Sequence, residues 1–354
     1  MNQIIPFRAY VKTAENTYRE HFGLDFEQFE VGQKFQHRPG ITVSQQDNAD
    51  EALDTINNAQ LHYDEQYASN TEWTNCLGVS TMTLQRIIGM TSKTFARKKG
   101  IIEFEDIAMT HPVFGGDTLY SETEIIFIEN YDDNFGLVTA VTTGINQHDD
   151  IIAKIQYKIL VYKSGKHPVE IKDKLNISEI ENEKFSSHRL IYNNIYREQV
   201  GIYFEDLIPG EVYEHRPGKT FSIEENRLHA LRSIELSPQY SDENFVSQYQ
   251  EGKIFIAEPF IVGVLTALTT RTFGRVVANL GWRNIKLHES VFAGDTIYAR
   301  SSIMDKRESK TRPTQGIMHV KSEAFNQKNN LVCSYERNFL IYKKGLGPYS
   351  KAGY

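Results

Sequence analysis

His62 stands in "NNAQLHYD" (57–64), five residues after Asn57 and two before Asp64, between two stretches with helical patterning. Imidazole has a reference pKa of about 6.5, near neutrality, so this ring suits the uptake and return of a proton. The same placement suits a structural imidazole, and spacing alone does not choose between them. Arg86 interrupts the apolar run "LQRIIGM" inside a long helical segment. A buried guanidinium needs an anionic partner, either a substrate carboxylate or an internal acid such as Glu103 or Glu105. Glu258, just before Pro259, puts a carboxylate at the start of another helix.

The elements that must hold these residues occur twice. "FQHRPGITV" (35–43) returns as "YEHRPGKTF" (213–221), and "VFGGDTLY" (113–120) returns as "VFAGDTIY" (291–298), both at an offset of 178. Nearer the C-terminus "LVYKSG" (160–165) answers "LIYKKG" (340–345) at 180, which places a two-residue insertion in the polar stretch 306–316. A period this long is two copies of one domain, since solenoid repeats run roughly 20–50 residues. The expected division is 20–164 for the first domain, 165–199 for a charged linker and 200–345 for the second domain.

Each copy has the same order of patterns. A strand-like run ends at "HRPG", where Pro-Gly predicts a turn. A polar helix follows (44–57 and 222–235), then a longer apolar one (79–98 and 259–274), then strands with β-branched and aromatic alternation, such as "IIAKIQYKILVYK" (151–163). Strands grouped behind one long helix predict an α+β fold, with a sheet wrapped around that helix, over a βαβ one.

Composition narrows the classes. The 354 residues are 40% apolar and 24% charged, with a dispersed net charge of −7, which points to neither a nucleic-acid surface nor an acidic tail. Cys76 and Cys333 lie far apart, against a disulfide framework or a structural zinc site. The first residues lack the features of a secretion signal, and no run reaches 18 apolar residues. A cytoplasmic protein that engages neither nucleic acid nor membrane is the expectation.

Three phrases, "YFEDLIPGEVYEHRPGKTFSIEEN" (203–226), "HPVFGGDTLYSETEI" (111–125) and "VVANLGWRNIKLHESVFAGDTIYARSSIMDKRESKTRPTQG" (276–316), carry a resemblance. The chain resembles the MaoC-like acyl-CoA dehydratases and hydratases in their tandem double-hotdog form, and within them the mesaconyl-CoA hydratases, or β-methylmalyl-CoA dehydratases. The resemblance implies hydration of an α,β-unsaturated acyl thioester, or the reverse dehydration of a 3-hydroxyacyl thioester. It implies no cofactor, CoA being part of the substrate, and a homodimer or higher homo-oligomer. In the general family an aspartate precedes the catalytic histidine by five residues. Carried over, the histidine is His62 and the acid position is Asn57, a departure that an Asn-x-Ala-x-x-His arrangement in the mesaconyl-CoA hydratase branch shares. In the second copy these positions hold Glu235 and Tyr240, so the resemblance implies one active half, the first, with the second half shaping the pocket.

Such chemistry needs an activated water, a proton for the α-carbon and a stabilised enolate oxygen. Counted along the copy, Ser80 is the residue whose N–H at the helix tip would meet the thioester oxygen; its hydroxyl also suits a cap. Asn57 cannot take a proton but can orient the water, and it equally suits a left-handed helix end. Arg86, Glu235 and Tyr240 are the expected substrate contacts, and no metal is expected. His37 and His215, shared by both copies, read as fold residues, and Asp117 and Asp295 as turn formers. The basic residues 97–99, Arg271 and Arg275 suit either CoA phosphates or helix C-termini. Two rival readings are an acyl-CoA thioesterase, with Glu258 as its base, and a non-catalytic binder of acyl-CoA or an acyl carrier.

Overall fold

A computed structural model describes residues 7–170, 183–248 and 252–354. The first half runs through strand β3 (Lys34–Thr42), helix α1 (Gln45–Asp54), the short helix α2 (Glu65–Ala68), the central helix α3 (Ser80–Met90), a further turn α4 (Ser92–Phe95), and strands β4 (Lys98–Met109), β5 (Thr118–Asn130), β6 (Phe135–Ile145) and β7 (Ile151–Tyr162). The second half repeats the plan with β10 (Val212–Thr220), α5 (Ile223–Arg232), α6 (Glu243–Val246), the central helix α7 (Glu258–Leu268), β11 (Val276–Leu287), β12 (Thr296–Glu308), β13 (Gln315–Asn326) and β14 (Leu331–Tyr342). The inserted residues fall between β12 and β13, where the sequence placed them.

Each central helix lies in the hollow of its own sheet. Met82 and Ile87 of α3 are buried with Leu119, Ile125, Val138 and Ile155 of the strands, and Ile261 and Leu265 of α7 with Ile297, Ala299 and Tyr335. Gly144 on β6 gives Ile87 its seat: a Cβ there would lie 2.2 Å from the Ile87 side chain. The fold is α+β, two hotdog units in one chain. "HRPG" is no turn, however. It stays within β3 and β10, where the ladder to β5 skips from His37–Ser121 to Ile41–Leu119 and the extra residues bulge out.

Two hairpins tie the halves together. Strands β1 (Tyr10–Ala14) and β2 (Thr17–Glu20) precede the first copy, yet β2 pairs in parallel with β10 of the second sheet. Strands β8 (His188–Tyr192) and β9 (Ile195–Glu198) lie in the expected linker, yet β9 pairs in parallel with β3 of the first sheet. Both sheets thereby reach seven strands, in the orders β4-β7-β6-β5-β3-β9-β8 and β11-β14-β13-β12-β10-β2-β1. The stretch 165–199 is therefore more than a connector, although its residues 171–182 lie outside the described ones.

A buried carboxylate fixes each exchanged hairpin. Glu198 of β9 accepts from His37 Nδ1 at 2.9 Å, from the Arg38 N–H and from Thr94, while Glu20 of β2 accepts from His215 Nδ1 at 3.0 Å, from the Arg216 N–H and from Thr272. The ring of His37 continues through Thr123 and Thr142 to Tyr157, all buried. These two histidines hold the fold together, as their repetition suggested.

Candidate active site

Between α1 and α3 the chain makes a 3-10 turn at Gln60–His62 and then α2 before entering the central helix. His62 is half-buried there. Its Nδ1 lies 2.7 Å from the carbonyl oxygen of Leu77, three residues before α3. A carbonyl only accepts, so Nδ1 carries a proton, and in the neutral ring Nε2 is the nitrogen with the lone pair. Among the described residues Nε2 has no hydrogen-bond partner. That orientation leaves Nε2 free to accept a hydrogen bond.

Asn48 of α1, fully buried, sets that orientation. Its Nδ2 donates to the carbonyls of His62 (2.9 Å) and Leu77 (3.0 Å), and its Oδ1 accepts the N–H of Val79 at 2.7 Å. One carboxamide thus ties the histidine turn to the tip of the central helix. Asn226 repeats the clamp, with Tyr240, Phe255 and Ala257 as partners. Sequence reasoning missed this residue, although Asn48 and Asn226 stand at the repeat offset inside otherwise dissimilar helices.

Val79 is the N-cap of α3 and Ser80 its first helical residue. Ser80 is exposed and its hydroxyl caps nothing, against one expectation. Its N–H is among the donors a helix start leaves unpaired. Asn57 is not the left-handed residue of its turn; Ile56 is, at φ 58°, and Ile234 matches it at 59°. A β-branched side chain held there twice is strained backbone at the edge of each site. The Asn57 carboxamide oxygen, expected to hold a water, already accepts the N–H of Ala59 at 3.0 Å, as Glu235 accepts that of Ser237.

Arg86 departs from expectation too. Glu103 and Glu105 both bind Lys158, and the nearest acid to Arg86 is Asp47 of α1, at 3.9 Å and over a third exposed. The Arg86 Nε is buried with no partner among the described residues. Nor do residues 97–99 end a helix: Arg97 is buried against Asp25 and Glu170, and Lys98 opens β4.

The second half shows what the two key positions can do together. Tyr240 occupies the His62 position and Glu258 the Ser80 position. The Tyr240 hydroxyl donates to Glu258 Oε2 at 2.5 Å. A side chain at the turn therefore reaches one at the helix tip. Burial first, and then the Glu258 bond, push the Tyr240 hydroxyl up to about 12, so it stays protonated at neutral pH. Glu258 lines a cavity of about 380 Å³ together with Phe255, Ile261, Leu287, His288 and Glu289.

The fold and these two ends define a tandem double-hotdog protein with a histidine at one helix tip and a tyrosine–glutamate pair at the other. Residues 180–346 match the family of mesaconyl-CoA hydratases, so the resemblance read from the sequence stands. The match falls on the half with Tyr240 and Glu258, not on the half with His62. A mesaconyl-CoA hydratase of Cereibacter sphaeroides is 29% identical over 146 residues, 41% of this chain and 42% of that protein. The aligned part thus spans well under two thirds of that relative. Among solved structures, a MaoC-domain dehydratase protein of Chloroflexus aurantiacus is 18% identical, with TM-score 0.40, over 91% of this chain and 98% of its own. A double-hotdog protein of Mycobacterium tuberculosis is also 18% identical, with TM-score 0.38, over 90% and 99%.

Proposed function

We propose that the chain adds water across the double bond of an α,β-unsaturated acyl-CoA, or removes it from a 3-hydroxyacyl-CoA, at the His62 end. The observation that carries this reading is the His62 tautomer, with Nδ1–H spent on Leu77 and Nε2 open beside a helix tip. His62 Nε2 takes a proton from water as the water oxygen bonds to the β-carbon. The π electrons move onto the thioester oxygen, where the Ser80 N–H and the helix dipole stabilise the enolate. The imidazolium then returns the proton to the α-carbon. Asn57 holds the turn and offers its remaining polar sites to the water. All of this proceeds without a cofactor.

Arg86, whose Nε has no partner, is the proposed contact for a substrate carboxylate, which favours short branched or dicarboxylic acyl groups such as mesaconyl-CoA. The proposed setting is the cytoplasm, which agrees with two buried, unpaired cysteines. No helix among the described residues is long and apolar enough to cross a membrane.

The test is loss of enoyl-thioester absorbance with crotonyl-CoA, mesaconyl-CoA and longer enoyl-CoAs. His62→Ala is expected to lower the rate by roughly 10²–10⁴-fold. An undiminished rate in that variant removes the site assignment, and equal rates on crotonyl- and mesaconyl-CoA remove the role of the substrate carboxylate. Thioester hydrolysis is the second reading, favoured by the cavity beside Glu258. Release of free thiol from saturated acyl-CoAs, abolished in Glu258→Gln, would replace the first reading with it.

A further inference from the structure

Away from both helix tips, three arginines converge on a cleft between the exchanged hairpin β8–β9 and the C-terminal segment. Arg189 and Arg197 are direct cross-strand neighbours on that hairpin. Arg275, buried, follows α7. Arg189, Arg197, Tyr203, Tyr349 and Tyr354 wall an open cleft of about 320 Å³, and the same five residues with Arg275 line a smaller adjoining cavity of about 40 Å³. Arg275 lies 3.6 Å over the ring of Tyr203 and 4.4 Å from that of Tyr349.

The duplication supplies a control for this arrangement. In the matching place of the other half, Arg19 pairs with Glu214 at 2.5 Å, and Arg97 with Asp25 and Glu170. At the repeat offset, Arg197 finds Gln36 where Arg19 has Glu214, and Arg275 finds Tyr203 where Arg97 has Asp25. The segment that supplies Glu170 in one half supplies Tyr349 in the other. Val11 becomes Arg189, which has neither a hydrogen bond nor an ion pair among the described residues. The carboxylates that pair with Arg19 and Arg97 have no counterpart here and one cation has been added; Glu183 stands at the rim, Glu122 lies beyond Gln36, and Glu198 is committed to His37 and Arg38.

Like charges directly opposite on neighbouring strands destabilise a sheet unless something neutralises them. Burial lowers the Arg197 pKa, and Arg38 and Arg189 lower it further against Glu122; burial likewise lowers that of Arg275, against Tyr203 and Tyr349 and with Arg189 adding to the effect. Guanidinium forks match phosphate oxygens two at a time. We infer that this cleft binds a phosphate-bearing anion, either a free diphosphate or the diphosphate of a nucleotide. The volume admits both. The site lies past the end of α7, whereas His62 lies before α3, so it stands independently of the proposed reaction.

Titration calorimetry of the full chain with pyrophosphate, ADP and adenosine tests this. Pyrophosphate and ADP are expected to saturate one site and adenosine to show no heat of binding. Arg189→Glu should weaken binding by roughly ten- to a hundredfold, the scale of a lost charge-assisted hydrogen bond. Arg189→Gln should weaken it in the same direction, and Lys310→Glu, the same charge change on an exposed loop, should leave it within about twofold. Tighter binding of ADP than of pyrophosphate assigns a nucleotide, and equal binding assigns free diphosphate. No saturable binding of either, equal binding of adenosine, or equal weakening by Lys310→Glu overturns the site.

Discussion

Asn48 does more for the candidate site than its plain surroundings suggest. Three backbone groups, the carbonyls of His62 and Leu77 and the N–H of Val79, meet at one buried carboxamide. Removing it leaves the Val79 N–H buried without a partner, at about 1–3 kcal/mol, while the Leu77 carbonyl keeps the His62 Nδ1–H and the His62 carbonyl keeps Gln45. It also loosens the tie between the His62 turn and the helix tip, leaving the His62–Leu77 bond to hold it. Asn48→Ala is therefore expected to destabilise the chain by a few kcal/mol and to cut turnover per folded molecule by tenfold or more, on the order expected for misplaced reacting groups. Asn226→Ala removes the same bonds in the other half, so it should cost similar stability and leave turnover unchanged. Urea unfolding and rates corrected for the folded fraction would separate the two. Equal loss of turnover in both variants would make the clamp a fold device only.

At the scale of elements, the exchanged hairpins answer to acid. Burial, with His37 and Lys93 adding, holds the His188 pKa at about 4, against the attraction of the Glu198 charge 4.0 Å away. The folded site thus keeps His188 neutral, while the unfolded chain protonates it near the ordinary 6.5. Below that value the unfolded state binds more protons, so stability is whole above about pH 6.5 and falls as pH drops toward 4. Glu198, held at about 2 despite its burial by His37 and Lys93, extends the loss as pH falls below about 4.5. The other clamp has Tyr10 where this one has His188, bonded to Thr272 as His188 is to Thr94. His188→Tyr should therefore reduce the loss of unfolding free energy between pH 6.5 and 4 by an amount on the order of 2–3 kcal/mol, read from urea unfolding at each pH. Part of the slope remains, since His21 is also held at about 4 by burial and neighbouring arginines. An unchanged slope would show that the imidazole does not control it.

The same element shows where a sequence can and cannot be read. The repeat of "HRPG" and "GDT" fixed two copies and their order, because identical local patterns must form identical local structure. It could not reveal that Glu20 and Glu198 cross between halves. Each glutamate sits in a short polar strand whose partner is chosen by a buried imidazole far away in sequence. Asn57 was legible as a turn residue, but the left-handed position fell on Ile56, against local preference. Arg86 was read as buried because its neighbours are apolar, whereas α1 leaves part of it open beside Asp47.

On the scale of the whole molecule, β4 and β11 end their sheets and carry rows of exposed apolar side chains: Ile102, Phe104, Ile107 and Met109 on one, Leu280, Trp282, Ile285 and Leu287 on the other. Rows of this size on one chain mark association surfaces. Between them β4 has Glu103, Glu105 and Asp106, and β11 has Arg283 and Lys286. Self-contact of β4 with β4 would oppose acids, whereas β4 of one copy against β11 of another sets acids against Arg283 and Lys286. Two copies related by a twofold axis satisfy both contacts at once, since each edge meets the partner's opposite edge. Sedimentation velocity is expected to show a dimer. Trp282→Glu sets a carboxylate into the apolar row and among the acids of β4, and should shift the chain to monomer at micromolar concentration. Phe104→Lys should do so less, because the row breaks but a cation now stands near the remaining acids. A wild-type monomer, or a dimer unaffected by Trp282→Glu, would place association on another face.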